Sequence, residues 1–307
     1  MQLRTIAEGL RFPEGPIAMP DGSVILVEIA GRTLTRVSPT GAVEVIAELG
    51  GGPNGAAMGP DGAIYVCNNG GLAFHKEANG DMRPVGQAPD YEGGRIERVD
   101  PLTGEVRVLY THCNDRKLCG PNDIVFDREG GMWFTDLGKV RDRDWDRSSL
   151  YYASIDGSRI EEAAFPLITA NGVGLSPDER TVYAAETHSG RLWAFDLEAP
   201  GRIKKLGFPS PHGGRLVGNT TGFRNFDSLA VAANGDICVA TLMDPGITVI
   251  AADGSSVRHI PTDDLYTTNI CFGGEGLKTA YITLSLTGKL VACEWETPGL
   301  PLNFLNT

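Results

Sequence analysis

Six residues spaced about 40 to 70 positions apart share one chemistry: Glu14, Asn54, Asn122, Asn171, Asp227 and Asn269. Each carries a side-chain oxygen acceptor, and none is basic. Carboxylate and amide oxygens are hard ligands suited to Ca²⁺, Mg²⁺ or Mn²⁺. Two carboxylates brought face to face repel unless a cation stands between them. No His or Cys belongs to the set, which argues against zinc. Asn and Asp also start strands and turns, because their side chains satisfy nearby backbone groups. That explains any one position more readily than all six together. No other chemistry is legible: the chain has no GxSxG elbow, P-loop or HExxH.

The six residues each open a copy of one segment: a polar residue, an apolar run, a turn and a second apolar run. It reads EGPIAMPDGSVILVE from Glu14, NDIVFDREGGMWFTD from Asn122 and DSLAVAANGDICVAT from Asp227. Turn residues between apolar runs mark hairpins. A second hairpin usually follows, as at 32–48, 95–110, 150–165 and 247–260. Four strands per copy predict an all-β fold: one six-bladed β-propeller spanning 1–307, with four-stranded antiparallel blades. The stretch Leu3–Glu8 supplies the last blade's missing strand and closes the ring. A pair of β-sandwich domains would tolerate the irregular spacing but would not predict six matching hairpins.

In a propeller the first strand of each blade lines the central channel, so the six residues meet at one mouth. The second strands end on the same side and deliver Glu28, Asn68-Asn69, Asp136, Glu186-Thr187-His188 and Thr241-Leu242-Met243. Asn54, Asn69, Asp136, His188 and Asn269 are the expected substrate contacts. Inserts fall at about 70–93, 137–148 and 207–225. The second is charged and carries Trp145, so it reads as a solvated loop or a lid. The four tryptophans read mainly as core.

The chain has 39 acidic and 27 basic residues and a net charge of −12, with no basic block. That excludes a nucleic-acid footprint. Forty glycines in 307 residues fit many tight turns. No apolar run approaches the ~20 residues of a membrane helix, and the first residues lack the shape of a signal peptide. The expectation is a cytoplasmic protein, a monomer or small homo-oligomer, with no membrane partner. Its six thinly spread cysteines are expected as free thiols, with Cys113–Cys119 the one pair near enough to consider.

The ring residues and their flanks resemble the SMP-30/gluconolactonase family, which includes regucalcin, sugar lactonases and luciferin-regenerating enzyme. The resemblance rests on Phe12-Pro13-Glu14-Gly15-Pro16, Pro121-Asn122-Asp123, Asn171-Gly172 with Ser176-Pro177-Asp178, Asp227 ahead of an apolar strand, and Thr267-Thr268-Asn269 through Gly274. It implies a six-bladed propeller with one divalent cation held by Glu14, Asn171 and Asp227, and Asn122 beside it. Ca²⁺ is the first expectation, with Mn²⁺, Zn²⁺, Mg²⁺ and Fe²⁺ as alternatives. The implied activity is hydrolysis of a small-molecule lactone, with Asp227 as general base and Asn122 orienting water and substrate. Phosphotriester hydrolysis and a non-catalytic calcium-binding role are the alternatives. Two positions depart from the family pattern. Gly120 stands where sugar lactonases often carry an Arg, which leaves Arg116, Lys117, Lys139 and Arg141 as replacement cations. Ser228 follows Asp227 where Gly is usual.

Overall fold

The computed structural model describes residues 2–306, which form six antiparallel blades around a channel, five of four strands and the fourth with an additional short strand, Arg202–Ile203. Blade one is Pro13–Ala18, Val24–Glu28, Thr33–Val37 and Val43–Glu48, in that order from the channel outward. Blades two to five begin at Pro53–Met58, Pro121–Phe126, Ala170–Leu175 and Asn225–Val231. Blade six comprises Thr267–Gly273, Thr279–Leu284 and Lys289–Glu294, completed by Arg4–Glu8 from the start of the chain. The expected closure by the N-terminal strand is therefore observed.

Alternation along each strand sends apolar side chains into the gaps between blades. Six apolar clusters result, one per interface. Between blades three and four, for example, Trp133, Leu150 and Tyr152 meet Val182, Trp193 and Phe195. Each fully buried side chain of this size contributes roughly 1.5–3 kcal/mol, so stability is spread around the ring. Trp133, Trp193 and Trp295 are buried as expected, but Trp145 lies exposed on the 137–148 insert. All six cysteines are free. No described helix is long and apolar enough to cross a membrane.

The inserts have their own structure. Leu72–Lys76 and Met82–Gln87 form a separate hairpin over the mouth beside blade two. The 137–148 insert is a tight turn bridged at Val140 and Trp145. At the opposite end, the tail crosses the channel. Leu300 N–H donates to Val231 O (2.9 Å), and Asn303 Nδ2 donates to Glu179 Oε1 (2.7 Å). Beneath this tail lies a largely apolar rear cavity of about 350 Å³.

The inner strands approach so closely that side chains are excluded in places. A Cβ on Gly172 would sit 2.7 Å from Leu229 N and 2.8 Å from Asp227 O. Those are backbone atoms and cannot swing aside. Gly172→Ala is expected to destabilise the protein by about 2 kcal/mol or more. Gly207→Ala, where nothing lies within 4 Å, should stay within about 0.5 kcal/mol of the parent. Denaturant melts of the two variants check this, and equal midpoints would contradict the close-packed channel.

Candidate active site

All six inner strands break register at the same level. The shifts fall at Glu14/Ile17, Pro53/Gly55, Pro121/Ile124, Ala170/Val173, Phe226/Leu229 and Thr267/Asn269. A bulge re-aims the side chain where it occurs. Here the bulges turn the polar ring into the channel. Glu14, Asn54, Asn122, Asn171 and Asp227 line a cavity of about 150 Å³ at the mouth, with Asn69 on its wall. That is room for one small ring, since an engineered cavity of about this size holds benzene. Asn269 sits just beneath. Its Nδ2 donates to Glu14 Oε2 (2.8 Å), and its own Oδ1 accepts from Ile270 N–H.

The electrostatics of this floor are lopsided. Glu14, Asp227 and Asp123 are all buried. Burial, then the nearby Asp227 charge, pushes the Glu14 carboxyl well above its ordinary range. Burial raises Asp227 as well, against hydrogen bonds from Asn171 and the Ser228 backbone. Burial lifts Asp123 to about 7, although the Val173 and Ile124 N–H groups donate to it (both 3.0 Å). No Lys, Arg or His lies within 4.0 Å of any of the three among the described residues.

The donors present fit a divalent cation. Asn122 Oδ1 is buried without a hydrogen-bond partner, which is what a ligand atom looks like without its ion. Asn171 Nδ2 donates to Thr187 Oγ1 (3.1 Å), so its Oδ1 is turned to the Ser228 hydroxyl (3.3 Å) with a lone pair to spare. Ser228 thus adds an anchor for Asn171. Among the described residues, no three His, Cys, Asp or Glu side chains gather as a metal cluster. The donor set is therefore mixed, two carboxylates with two amides, and suits a hard ion.

Three expected substrate contacts fall outside the cavity wall: Asn269, which sits beneath it, Asp136 and His188. The Asp136 carboxylate accepts from Cys119 N–H (2.7 Å), Gly120 N–H (2.7 Å) and Gly138 N–H (2.9 Å), so it serves the loop backbone and does not line the cavity. His188 is exposed on the rim. Its ring stacks on Trp145 of the insert at 6.1 Å, and its Nδ1 meets Thr169 Oγ1 at 3.1 Å. The other strand-end residues repeat the Asp136 pattern. Glu28 holds Arg11 N–H, Asn68 holds Gly52 N–H and Glu186 holds Ile168 N–H (2.7–2.8 Å). Each clips the loop that enters its own blade, two or three residues before the ring residue. These groups position the site and do not line it.

Of the apolar wall residues, only Leu242 is among those the second strands are expected to deliver. Phe12, Ile29, Leu72, Pro84, Leu242 and Tyr266 form an apolar wall above the polar floor. Phe12 packs on Phe74 (5.1 Å) and Tyr266 (5.8 Å). The 70–93 insert is thus part of the pocket. A side chain at position 120 would strike Gly138 O at 2.5 Å. The 137–148 insert occupies that place, and its Lys139 lines the cavity. Arg116, Lys117 and Arg141 stay exposed.

A six-bladed propeller with carboxylate and amide oxygens converging at one mouth of its channel defines the class of protein. The chain belongs to the SMP-30/gluconolactonase/LRE-like family, whose characteristic region matches residues 12–286. A gluconolactonase from Zymomonas mobilis is 24% identical over 92% of this chain and 79% of the relative. A diisopropyl-fluorophosphatase from Loligo vulgaris is 26% identical over 96% of this chain and 92% of its own. The solved structure of regucalcin from Agrobacterium tumefaciens, described as a calcium-binding protein, matches with a TM-score of 0.72 at 20% identity, over 94% and 92% of the two chains.

Two outcomes follow from the site's charge. In the cation-free protein the buried carboxyls hold protons that the unfolded chain would already have released, so their folded pKa lies above the unfolded one. Their contribution to stability is full below the ordinary carboxylate range and is lost as pH rises through about 7, where Asp123 titrates. A divalent cation binds the ionised forms and offsets the loss. The rise in melting temperature on adding Ca²⁺ should be larger at about pH 7.5 than at about pH 5; equal rises would contradict the cation reading. Separately, Asp136→Ala leaves three backbone N–H groups without their acceptor and should lower stability by about 2 kcal/mol or more, measured by denaturant titration.

Proposed function

We propose that this chain is a divalent-metal-dependent hydrolase that opens a lactone ring. The observation that carries the reading is the mixed carboxylate–amide floor beneath a ring-sized cavity, in a chain whose family includes a gluconolactonase. Glu14, Asn122, Asn171 and Asp227 are the residues that would hold the cation. When bound, it supplies Lewis acidity to the ester carbonyl and lowers the pKa of nearby water.

The chain's own groups do the rest. Asp227 accepts a proton from the water that attacks the carbonyl carbon. Beside it, the Asn171 amide is fixed by a hydrogen bond to Thr187 and one from the Ser228 hydroxyl. The carbon–oxygen bond of the ring breaks, and Asp227 returns the proton to the leaving oxygen, so the product is an open hydroxy acid. Asn122 orients water and ester. Asn54 and Asn69 offer amides to ring substituents, while Phe12, Leu72 and Pro84 exclude bulk water from the reacting bond. Of the expected metals, Ca²⁺ matches the oxygen donors best, and the calcium-binding description of the Agrobacterium structure agrees with it.

A second reading keeps the site and changes the ester to a phosphotriester. The apolar wall and the Loligo relative favour it.

Proton release from a panel of sugar lactones and a phosphotriester, with metal-stripped protein and after adding back Ca²⁺, Mn²⁺, Zn²⁺, Mg²⁺ or Fe²⁺, separates the two. Metal-dependent lactone opening is the expected result. Release from the phosphotriester alone would replace it, and no release from protein shown to bind an ion would sink both. Asp227→Asn should lower kcat by about 10² or more. The melting temperature of its cation-free form should hold near neutral pH, where the buried carboxyl already carries a proton, and rise above about pH 8, where the substitution removes a buried like charge.

A further inference from the structure

Lys139 is the single basic residue among the described residues that line the mouth cavity. It is only 3% exposed. Its Nζ donates to Gly71 O (3.1 Å), reaches Asn69 Oδ1 at 3.5 Å and lies 4.8 Å from the Tyr91 ring centroid. Among the described residues no carboxylate oxygen lies within 4.0 Å of it. Asp136 and Asp146 favour the ammonium from a distance, but their oxygens are hydrogen-bonded elsewhere. Asp136 holds three backbone N–H groups, and Asp146 pairs with Arg141 (2.8 Å) and the Lys139 N–H (3.0 Å). Burial pulls the Lys139 ammonium down to about 8, so it still carries its charge at neutral pH.

An ammonium drawn out of water without a counter-ion is unfavourable unless a partner arrives. Ordinary surface lysines avoid this by keeping the head in solvent. Here the insert forbids that escape. Val140 pairs with Trp145, Trp145 stacks on His188, and Arg141 clamps the turn through Asp144 and Asp146. The base of the insert is fixed against Gly120, and Lys139 points inward. It reaches the loop of blade two, across the six-membered ring from blade five and Asp227. The cavity therefore has two electrostatic ends: an acidic floor that takes a cation, and on the opposite wall an ammonium in direct contact only with neutral groups.

We propose that Lys139 is the specificity-determining residue of the site, and that the preferred substrate is a hydroxylated lactone bearing a free carboxylate at the end remote from its scissile ester. This deepens the lactone reading and rests on it. A neutral lactone would leave the ammonium unpaired, whereas a carboxylate completes it with a charge-assisted hydrogen bond.

The test compares gluconolactone with glucarolactone, which differ in the remote carboxylate, on the Ca²⁺-loaded wild type and on Lys139→Met, Lys139→Gln and Lys139→Arg. Lys139→Gln keeps an N–H for Gly71 O, so it reports on charge even where Lys139→Met folds poorly. The wild type should prefer glucarolactone by about tenfold or more in kcat/KM, the scale of one charge-assisted hydrogen bond. Lys139→Gln should abolish the preference through KM with kcat nearly unchanged, and Lys139→Arg should retain part of it. An equal loss on both lactones, or a preference that survives Lys139→Gln, would overturn the proposal and leave Lys139 a strut for Gly71. Calorimetric titration of gluconate and glucarate separates this from the lactone reading. If neither lactone is opened, that reading fails. Tighter binding of glucarate that Lys139→Gln removes would still support Lys139's role, and equal binding of the two acids would refute it.

Discussion

Negative charge held out of water governs this molecule. Glu14, Asp227 and Asp123 sit within one channel, buried and without a basic partner in reach. An ionised carboxylate in such a place costs several kcal/mol unless it is compensated. It can take up a proton, which is why these groups are pushed toward neutral pH, or it can meet a cation. The buried, unpartnered Oδ1 of Asn122 and the hydrogen bonds that fix Asn171 favour the second outcome. A protein that needed only a stable propeller would gain nothing from this arrangement.

The fold bears the cost by spreading its stability. Six apolar clusters hold six blade interfaces, so no single core must overcome the strained centre. Positioning is local. A bulge in every inner strand turns the ring residue inward, and a polar group at the end of the adjacent strand clips the loop just before it in blades one to four. Buried clips of this kind hold their loops with one to three hydrogen bonds from backbone N–H groups, a geometry that tolerates little drift. The chemistry then rests on residues whose freedom was removed before any substrate arrives.

The ring and its closure were legible because a repeat multiplies weak signals. One hairpin starting with Asn says little; six starting with acceptors define a channel mouth. Asp136 and His188 lie off the cavity wall for a physical reason. A polar residue at a strand end looks the same whether it serves a ligand or a backbone N–H, and only the partner atoms decide. The bulges were hidden because they change register without changing composition. The wall from Leu72 and Pro84, and the inward turn of Lys139, depend on how inserts pack on neighbouring blades, which spacing along the chain does not encode. Gly120 was legible as a departure from the family pattern. Its reason, the contact with Gly138, was not.

The central claim is that Glu14, Asn122, Asn171 and Asp227 hold one divalent cation. Anomalous diffraction from crystals grown with Mn²⁺ tests it most directly, because Mn²⁺ accepts oxygen ligands like Ca²⁺ and scatters anomalously. The account predicts one dominant peak bounded by those four side chains, lost in Glu14→Gln crystals. A channel without a peak, or a dominant peak on surface carboxylates, would contradict it.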